Sequence, residues 1–211
     1  MWALAIVLLG LAAELPPPLP PADDARAWQP VKVVEGIVVT RAPLAPPPQL
    51  MIWGAAEGDI DAPIDRVIAH LTNFELLPKI VPRLAELRVL SRASDEAILY
   101  FRFDLPWPIS DRDWTSRYRW RREGDRFVMT WSDVSDRGPP PGKAVRVSPL
   151  RGAWELTSLG PGRTHARYVS LENLGGHLPR SVIEQTSWKQ PLETFRAVRR
   201  ALSVTGARPA K

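Results

Sequence analysis

Hydrophobic and polar residues alternate most regularly between Arg112 and Arg122. Trp114, Ser116, Tyr118 and Trp120 fall on even positions, and Arg117, Arg119 and Arg121 on odd ones. A period of two belongs to a β-strand, so this stretch predicts one with aromatics on one face and arginines on the other. Gly124 and Asp125 turn the chain, and Phe127, Met129 and Trp131 carry the apolar face onto the next strand. The β-branched run from Val31 to Thr40 predicts a strand, and Leu50–Ala55 its partner across the turn-rich RAPLAPPPQ. Further strands are expected over Leu87–Arg92, Ala97–Leu105, Ala144–Ser148, Gly152–Leu159 and Thr164–Leu171, with Asp136–Lys143 a loop.

Helical spacing appears twice. Asp61 and Pro63 open a helix at Ile64, with Val67, Ile68 and Leu71 on one face. Asn73–Pro78 breaks it, and a short second helix is expected over Ile80–Leu84. After Pro179, the residues Val182, Ile183, Thr186, Leu192, Phe195, Val198 and Leu202 form a long stripe that Pro191 should kink or interrupt. A long antiparallel sheet with an early helix pair and a C-terminal amphipathic helix is an α+β domain. The last helix is the natural cover for the sheet's apolar face.

The first residues carry a different pattern. Met1–Ala13, MWALAIVLLGLAA, is apolar but short of the roughly 17–25 residues that span a bilayer. It reads as a signal-peptide core with small residues for cleavage near Ala13, so export to the periplasm or beyond is expected. An uncleaved membrane anchor is the alternative. Residues 14–30 read as a proline-rich tether, and residues 31–205 as one ligand-binding domain.

Composition narrows the chemistry. With 45% apolar and 24% charged residues among 211, the chain is globular, and its charge of +5 permits contact with anionic surfaces without naming a partner. Cysteine is absent, which excludes disulfides, thiol catalysis and thiolate metal sites. Nine tryptophans against five phenylalanines is the unusual count. The aromatic face could be simple core packing or the lining of a cavity, and alternation leaves both readings open.

The segment Leu105–Trp114, LPWPISDRDW, resembles the PWPxSDRD signature of the START-domain lipid-binding proteins. Ile109 fills its variable position. Upstream, DAPIDRVIAHLTNFELLPKIVP is similar to that family's early helices. Downstream, GAWELTSLGPGRTHARYVSLENLGGHLP is similar to its late strands and the lead into its long helix. The likeness spans about Val31–Leu202. It implies a helix-grip fold, in which a curved antiparallel sheet wraps around the long C-terminal helix and leaves a tunnel for an apolar ligand. It also implies binding or transfer of a lipid without catalysis. By the same likeness Arg112 and Asp113 form an Arg-Asp pair that fixes the turn and strand start by charged hydrogen bonds, with ligand contact by Arg112 a lesser possibility.

The residues expected to meet a ligand are Phe101, Phe103, Arg112, Trp114, Tyr118, Trp120, Met129, Trp131, Trp154, Tyr168 and Trp188. No cofactor or metal is expected, because His70, His165 and His177 lack the spacing of a metal set. His165 shares its parity with Arg167 on the outer face, and His177 sits at the mouth of the last helix. Nucleic acid is disfavoured as a partner, since the arginines and the aromatics point opposite ways. A monomer that carries a hydrophobic small molecule, with transient contact between its arginines and an anionic membrane, is the leading expectation. A polyketide cyclase or aromatase using Arg112, Tyr118 or Tyr168 with a histidine is the alternative. A structural envelope protein with a fully packed interior is a third. Ligand access is expected beside Gly175 and Pro139 or at the last helix.

Overall fold

The computed structural model describes residues 28–45, 51–81, 83–107, 109–140, 142–173 and 178–205. The leader, nearly all of the tether, Gly175 and His177 lie outside them. Strands β1 (Gln29–Val34), β2 (Ile37–Ala45) and β3 (Met51–Ile60) come first, followed by helices α1 (Ile64–Thr72) and α2 (Leu77–Ile80). Next are β4 (Leu84–Arg92), β5 (Glu96–Phe103), β6 (Arg112–Glu123), β7 (Arg126–Asp133), β8 (Val145–Arg146), β9 (Leu150–Ser158) and β10 (Thr164–Glu172). Helix α3 (Arg180–Thr205) closes the chain.

Nine strands lie in the order β1-β2-β3-β10-β9-β7-β6-β5-β4, each antiparallel to its neighbours, and two-residue β8 pairs parallel with β6. β3 and β4 are consecutive in the chain but far apart in the sheet. The segment carrying α1 and α2 joins them. Helix α3 packs along β2, β3 and β10 and touches α1. Arg66 of α1 donates to the Leu202 carbonyl at 3.1 Å, tying the two helices. The expected helix-grip arrangement is present: a curved antiparallel sheet with the C-terminal helix held against it.

Four expectations need correction. Val31–Thr40 is two strands of a hairpin that begins at Gln29, inside the stretch read as tether. Glu35 (φ 54°) and Gly36 (φ 72°) form its two-residue turn, both left-handed, which is the geometry that matches strand twist. β-branched residues flank this turn on both sides, and Glu35–Gly36 is only two residues long, so the run reads as one strand. The break predicted over Asn73–Pro78 is a 3-10 turn (Phe74–Leu76) followed by α2, and Leu84, read as helical, opens β4. Pro78 occupies the first turn of α2, where a missing N–H costs no intrahelical bond. The strand expected over Ala144–Ser148 shrinks to β8.

The fourth concerns Pro191. It does not interrupt α3, which runs as one helix of 26 residues with Pro191 inside it. Proline removes the donor that would reach the carbonyl of Ser187, and at that level the helix meets Gly54 of β3. A Cβ on Gly54 would overlap the Ser187 carbonyl oxygen and lie 2.7 Å from Pro191 Cγ. Glycine lets the strand approach the helix at this point.

Two apolar clusters flank the sheet. The larger fills the inner face, with Ile37, Val39, Ala56, Phe127, Met129, Leu156, Leu192 and Phe195 in its centre. The smaller, Trp28, Ala42, Trp53, Ala55, Val169 and Leu171, is on the outer face. Guanidinium groups cap it: Arg167 lies 5.2 Å from the Trp28 ring and Arg151 5.1 Å from that of Trp53. Two of the tryptophans therefore serve the side of the sheet opposite α3.

Candidate functional site

The register of the strands decides which sequence-predicted residues meet. Trp114 is opposite Phe101, and Arg112 opposite Phe103. Tyr118 is opposite Trp131, and Trp120 opposite Met129. Met129 is opposite Trp154, which is opposite Tyr168. Cross-strand partners share a face, so all ten sheet residues lie together on the inner one. Trp188 of α3 packs against the same core, where the Lys32 ammonium lies 4.4 Å from its ring centroid.

The aromatic rings form a continuous chain. Phe103 and Trp114 stack with centroids 5.0 Å apart and planes 10° from parallel. Phe101 joins Trp114 at 5.3 Å and Tyr118 at 6.2 Å. Tyr118, Trp131, Tyr168 and Trp154 continue at 5.8, 5.4 and 4.9 Å, and Phe195 of α3 completes the run at 5.7 Å from Trp154. Phe74 leans on Tyr118 and Trp120 from the crossover between the helices, at 5.3 and 6.0 Å. Each such pair contributes about 0.5–1.5 kcal/mol beyond area burial. Gly152 gives the Trp131 indole its place, since a Cβ there would overlap the ring.

Burial divides this chain in two. Phe101, Met129, Trp131, Trp154 and Tyr168 are each 6% exposed or less, which is core packing. Phe103, Trp114, Tyr118, Trp120 and Trp188 are only partly buried. Helix α3 lies over β2, β3 and β10, away from β5 and β6. The accessible rings of the sheet, Phe103, Trp114, Tyr118 and Trp120, thus line the half of the inner face that the helix does not press upon.

Polar groups on the inner face are few. Gln190 of α3 donates to the Tyr168 hydroxyl at 2.9 Å and to Thr194 Oγ1 at 3.2 Å, and accepts from Ser170 at 3.1 Å. Neither Gln190 nor Ser170 was an expected site residue; the parity of Ser170 with Tyr168 was the available signal. Ser116 Oγ is buried between the Trp114 and Tyr118 positions without a hydrogen-bond partner among the described residues. Arg112 is buried at the strand's start, where it donates to the Ser110 carbonyl at 2.5 Å. Burial holds its pKa below the ordinary arginine value.

Arg112 and Asp113 both make charged hydrogen bonds at the turn and strand start, on opposite faces because adjacent strand residues face opposite ways. Asp113 points outward into a buried ion pair with Arg146, at 2.7 Å (Nε–Oδ1) and 3.0 Å (Nη2–Oδ2). Tyr100 donates to the same carboxylate at 3.2 Å. Its phenol pKa is raised, first by burial and then by the Asp113 charge. Arg146 also donates to the carbonyls of Ser135 and Pro139, so Asp113 fastens the loop before β8 to β6. The arginine stripe is likewise engaged: Arg117 and Arg119 both face Glu96, Arg121 faces Glu123, and Arg122 of the even register reaches Asp65 of α1.

At the opposite end of the sheet a cleft of about 450 Å³ is lined by charged groups, including Glu35, Asp61, Arg163 and Arg199. His165 lies in it, on the outer face as expected. Its Nδ1 is 2.8 Å from Asp59 and its Nε2 3.1 Å from Glu57. Burial disfavours the imidazolium, but the two carboxylates outweigh it and raise the pKa. Asp59 is lowered, chiefly by the bond from His165. His70 of α1 is lowered by burial. Among the described residues no group of His, Asp and Glu side chains has the arrangement of a metal site.

Residues 60–189 match the family described as polyketide cyclase / dehydrase and lipid transport. Among solved structures, human STARD10 superposes with a TM-score of 0.76 at 17% identity, over 86% of this chain and 75% of its own. A STAR-related lipid transfer protein fragment from Xanthomonas axonopodis gives 0.73 at 25% identity, covering 84% and 99%. The Zhui aromatase/cyclase of Streptomyces sp. R1128 gives 0.57 at 17% identity, covering 72% and 94%. The same fold therefore accompanies both lipid transfer and ring-forming chemistry.

Proposed function

The chain belongs to the polyketide cyclase / dehydrase and lipid transport family, and on that premise we propose that it is a non-enzymatic, monomeric carrier of one lipid or similar apolar small molecule. The observation that carries this reading is the set of partly exposed rings, Phe103, Trp114, Tyr118 and Trp120, on an inner face that α3 leaves uncovered. Apolar surface of this kind favours an apolar occupant at about 25 cal/mol per Å² removed from water, before the entropy of binding is subtracted. The likeness at 25% identity to the Xanthomonas STAR-related lipid transfer protein supports the same reading. An exported protein would exchange such a cargo outside the cytoplasm.

A transfer assay tests it. Donor vesicles holding a fluorescent lipid with a self-quenching label are mixed with unlabelled acceptors and catalytic amounts of protein. Dequenching well above the spontaneous rate is expected. A rate equal to the protein-free control, for sterol, phospholipid and fatty-acid probes alike, contradicts the carrier reading.

The second reading is a cyclase, favoured by the inward placement of Arg112, Tyr118 and Tyr168 and by the Streptomyces likeness. Proton transfer needs a base within reach of the reacting atom. His165 is on the other face, held by Asp59 and Glu57, and the Tyr168 hydroxyl accepts from Gln190. Conversion of an aromatic polyketide by the wild type, lost in Tyr118→Phe while binding persists, would establish this second reading instead.

A further inference from the structure

The half of the inner face that α3 leaves uncovered is floored by rings. On β5 and β6 the inward apolar side chains that keep some exposure are Phe103, Trp114, Tyr118 and Trp120, and every one is aromatic. The inward aliphatic side chains of the same strands, Ala97 and Leu99, are fully buried. Aliphatic groups stand at the edge of the sheet, where Leu84 and Leu87 of β4 are opposite Phe103 and Phe101. An occupant of this half therefore lies on aromatic surface and meets leucines at its side.

The rings are arranged in two ways. Near the start of β6, Trp114 stacks on Phe103 with planes 10° from parallel and on Phe101 with planes 23° from parallel, at centroid separations of 5.0 and 5.3 Å. Centroids that far apart in nearly parallel planes mean an offset stack, in which part of each ring face is not covered by its neighbour. Phe101 is 5% exposed, so other groups cover its remaining surface, whereas Phe103 and Trp114 stay accessible. Further along β6, Phe74 meets Tyr118 at 55° and Trp120 at 57°, so those rings have tilted partners from the crossover. The stack that ends in accessible ring surface is Phe103–Trp114.

This geometry discriminates among apolar molecules of equal size. Removal of apolar area from water favours an acyl chain, a saturated fused-ring lipid and a flat conjugated ring system alike. Only the flat system lays a whole ring on the stack at carbon–carbon contact distance, roughly 3.5–4.0 Å, and adds an aromatic pair to it. Axial hydrogens and methyl groups hold a saturated ring system off the plane. An acyl chain also gives up rotamer freedom that a rigid ring never had.

We infer that the preferred cargo is a flat, conjugated ring molecule that extends the Phe103–Trp114 stack, ahead of acyl chains and saturated fused-ring lipids. This rests on the carrier reading and narrows it to a chemical class. The selectivity comes from the stack, so the ranking should persist when the polar head of the cargo is held constant.

Isothermal titration calorimetry with three monocarboxylates makes that comparison. Pyrenecarboxylate is flat, hexadecanoate is flexible, and cholanate is fused but puckered. Wild type should bind pyrenecarboxylate about tenfold more tightly than either of the others, which one aromatic pair supplies. Trp114→Leu and Phe103→Leu keep apolar surface and remove a ring. Each should weaken pyrenecarboxylate about tenfold and leave hexadecanoate within about twofold. A melting transition establishes that each variant is folded, and the wild-type ranking decides the point if one is not. Hexadecanoate or cholanate bound by wild type as tightly as pyrenecarboxylate overturns the inference and leaves the carrier standing, as does equal weakening of all three probes in the folded variants. Binding of none of them overturns both. A protein that ranks the probes as expected yet transfers no apolar molecule between vesicles keeps the planar site and loses the carrier reading.

Discussion

Gly54 of β3 and Pro191 of α3 meet where the long helix crosses the sheet, with no room for a methyl group between the strand and the helix backbone at Ser187. Gly54→Ala should destabilise the protein by about 1–3 kcal/mol, the usual cost of overpacking, or displace α3. Equilibrium urea unfolding measures it, and wild-type stability in the variant would show that the close approach is not needed. Pro191→Ala restores a backbone donor and is expected to be tolerated far better.

The buried Asp113–Arg146 pair holds β6 to the loop before β8. Asp113→Asn leaves the partly buried Arg146 guanidinium without its counter-charge and should cost about 3 kcal/mol. Asp113→Asn with Arg146→Met together should cost less than the two added, and strict additivity in that double-mutant cycle would contradict a direct coupling.

Side chains of the inner face should separate by burial. Met129 is 2% exposed, so Met129→Ala should lose about 2–5 kcal/mol of stability. Trp114→Ala and Tyr118→Ala, which remove partly exposed rings, should instead weaken binding of a fluorescent fatty-acid or sterol probe about tenfold each. The comparison of melting temperature with probe affinity across the three variants decides the point. Equal losses of both in all three would make the whole face a core.

His165 makes stability depend on pH. Its folded pKa is raised above the ordinary value of 6.5, so its contribution is full below that value and is lost as pH rises through the folded pKa. Asp59 is lowered from its ordinary 3.8, so its share is present above that value and is lost as pH falls through the folded pKa. His70, lowered by burial, acts in the opposite sense to His165 and loses stability on acidification. Replacing His165 with Gln isolates the first effect: wild type should lose part of its advantage over the variant as pH rises from 6 to 9. A constant difference across that range would contradict it.

The aromatic strand was legible because period two survives intact from Trp114 to Trp120, and one register then aligns Phe101, Trp131, Trp154 and Tyr168 with it. The hairpin at Glu35–Gly36 was not, because valine and isoleucine flank it and the polar break is only two residues long, both left-handed. Pro191 does not interrupt α3, although local chemistry allows a break there, and its packing against Gly54 belongs to the tertiary structure. Trp28 and Trp53 fall outside the period-two pattern, and only strand pairing puts them on the outer face. Adjacent positions such as Arg112 and Asp113 look like a pair in sequence, and the strand separates them.

The central claim, that the uncovered aromatic half of the inner face holds one apolar molecule, is tested most directly by native mass spectrometry of protein purified without detergent. Wild type should carry an extractable apolar species at one per chain, and Trp114→Ala combined with Tyr118→Ala should lose it while remaining folded. A wild-type spectrum with no adduct, and none after incubation with fatty-acid, sterol or phospholipid vesicles, would contradict the claim.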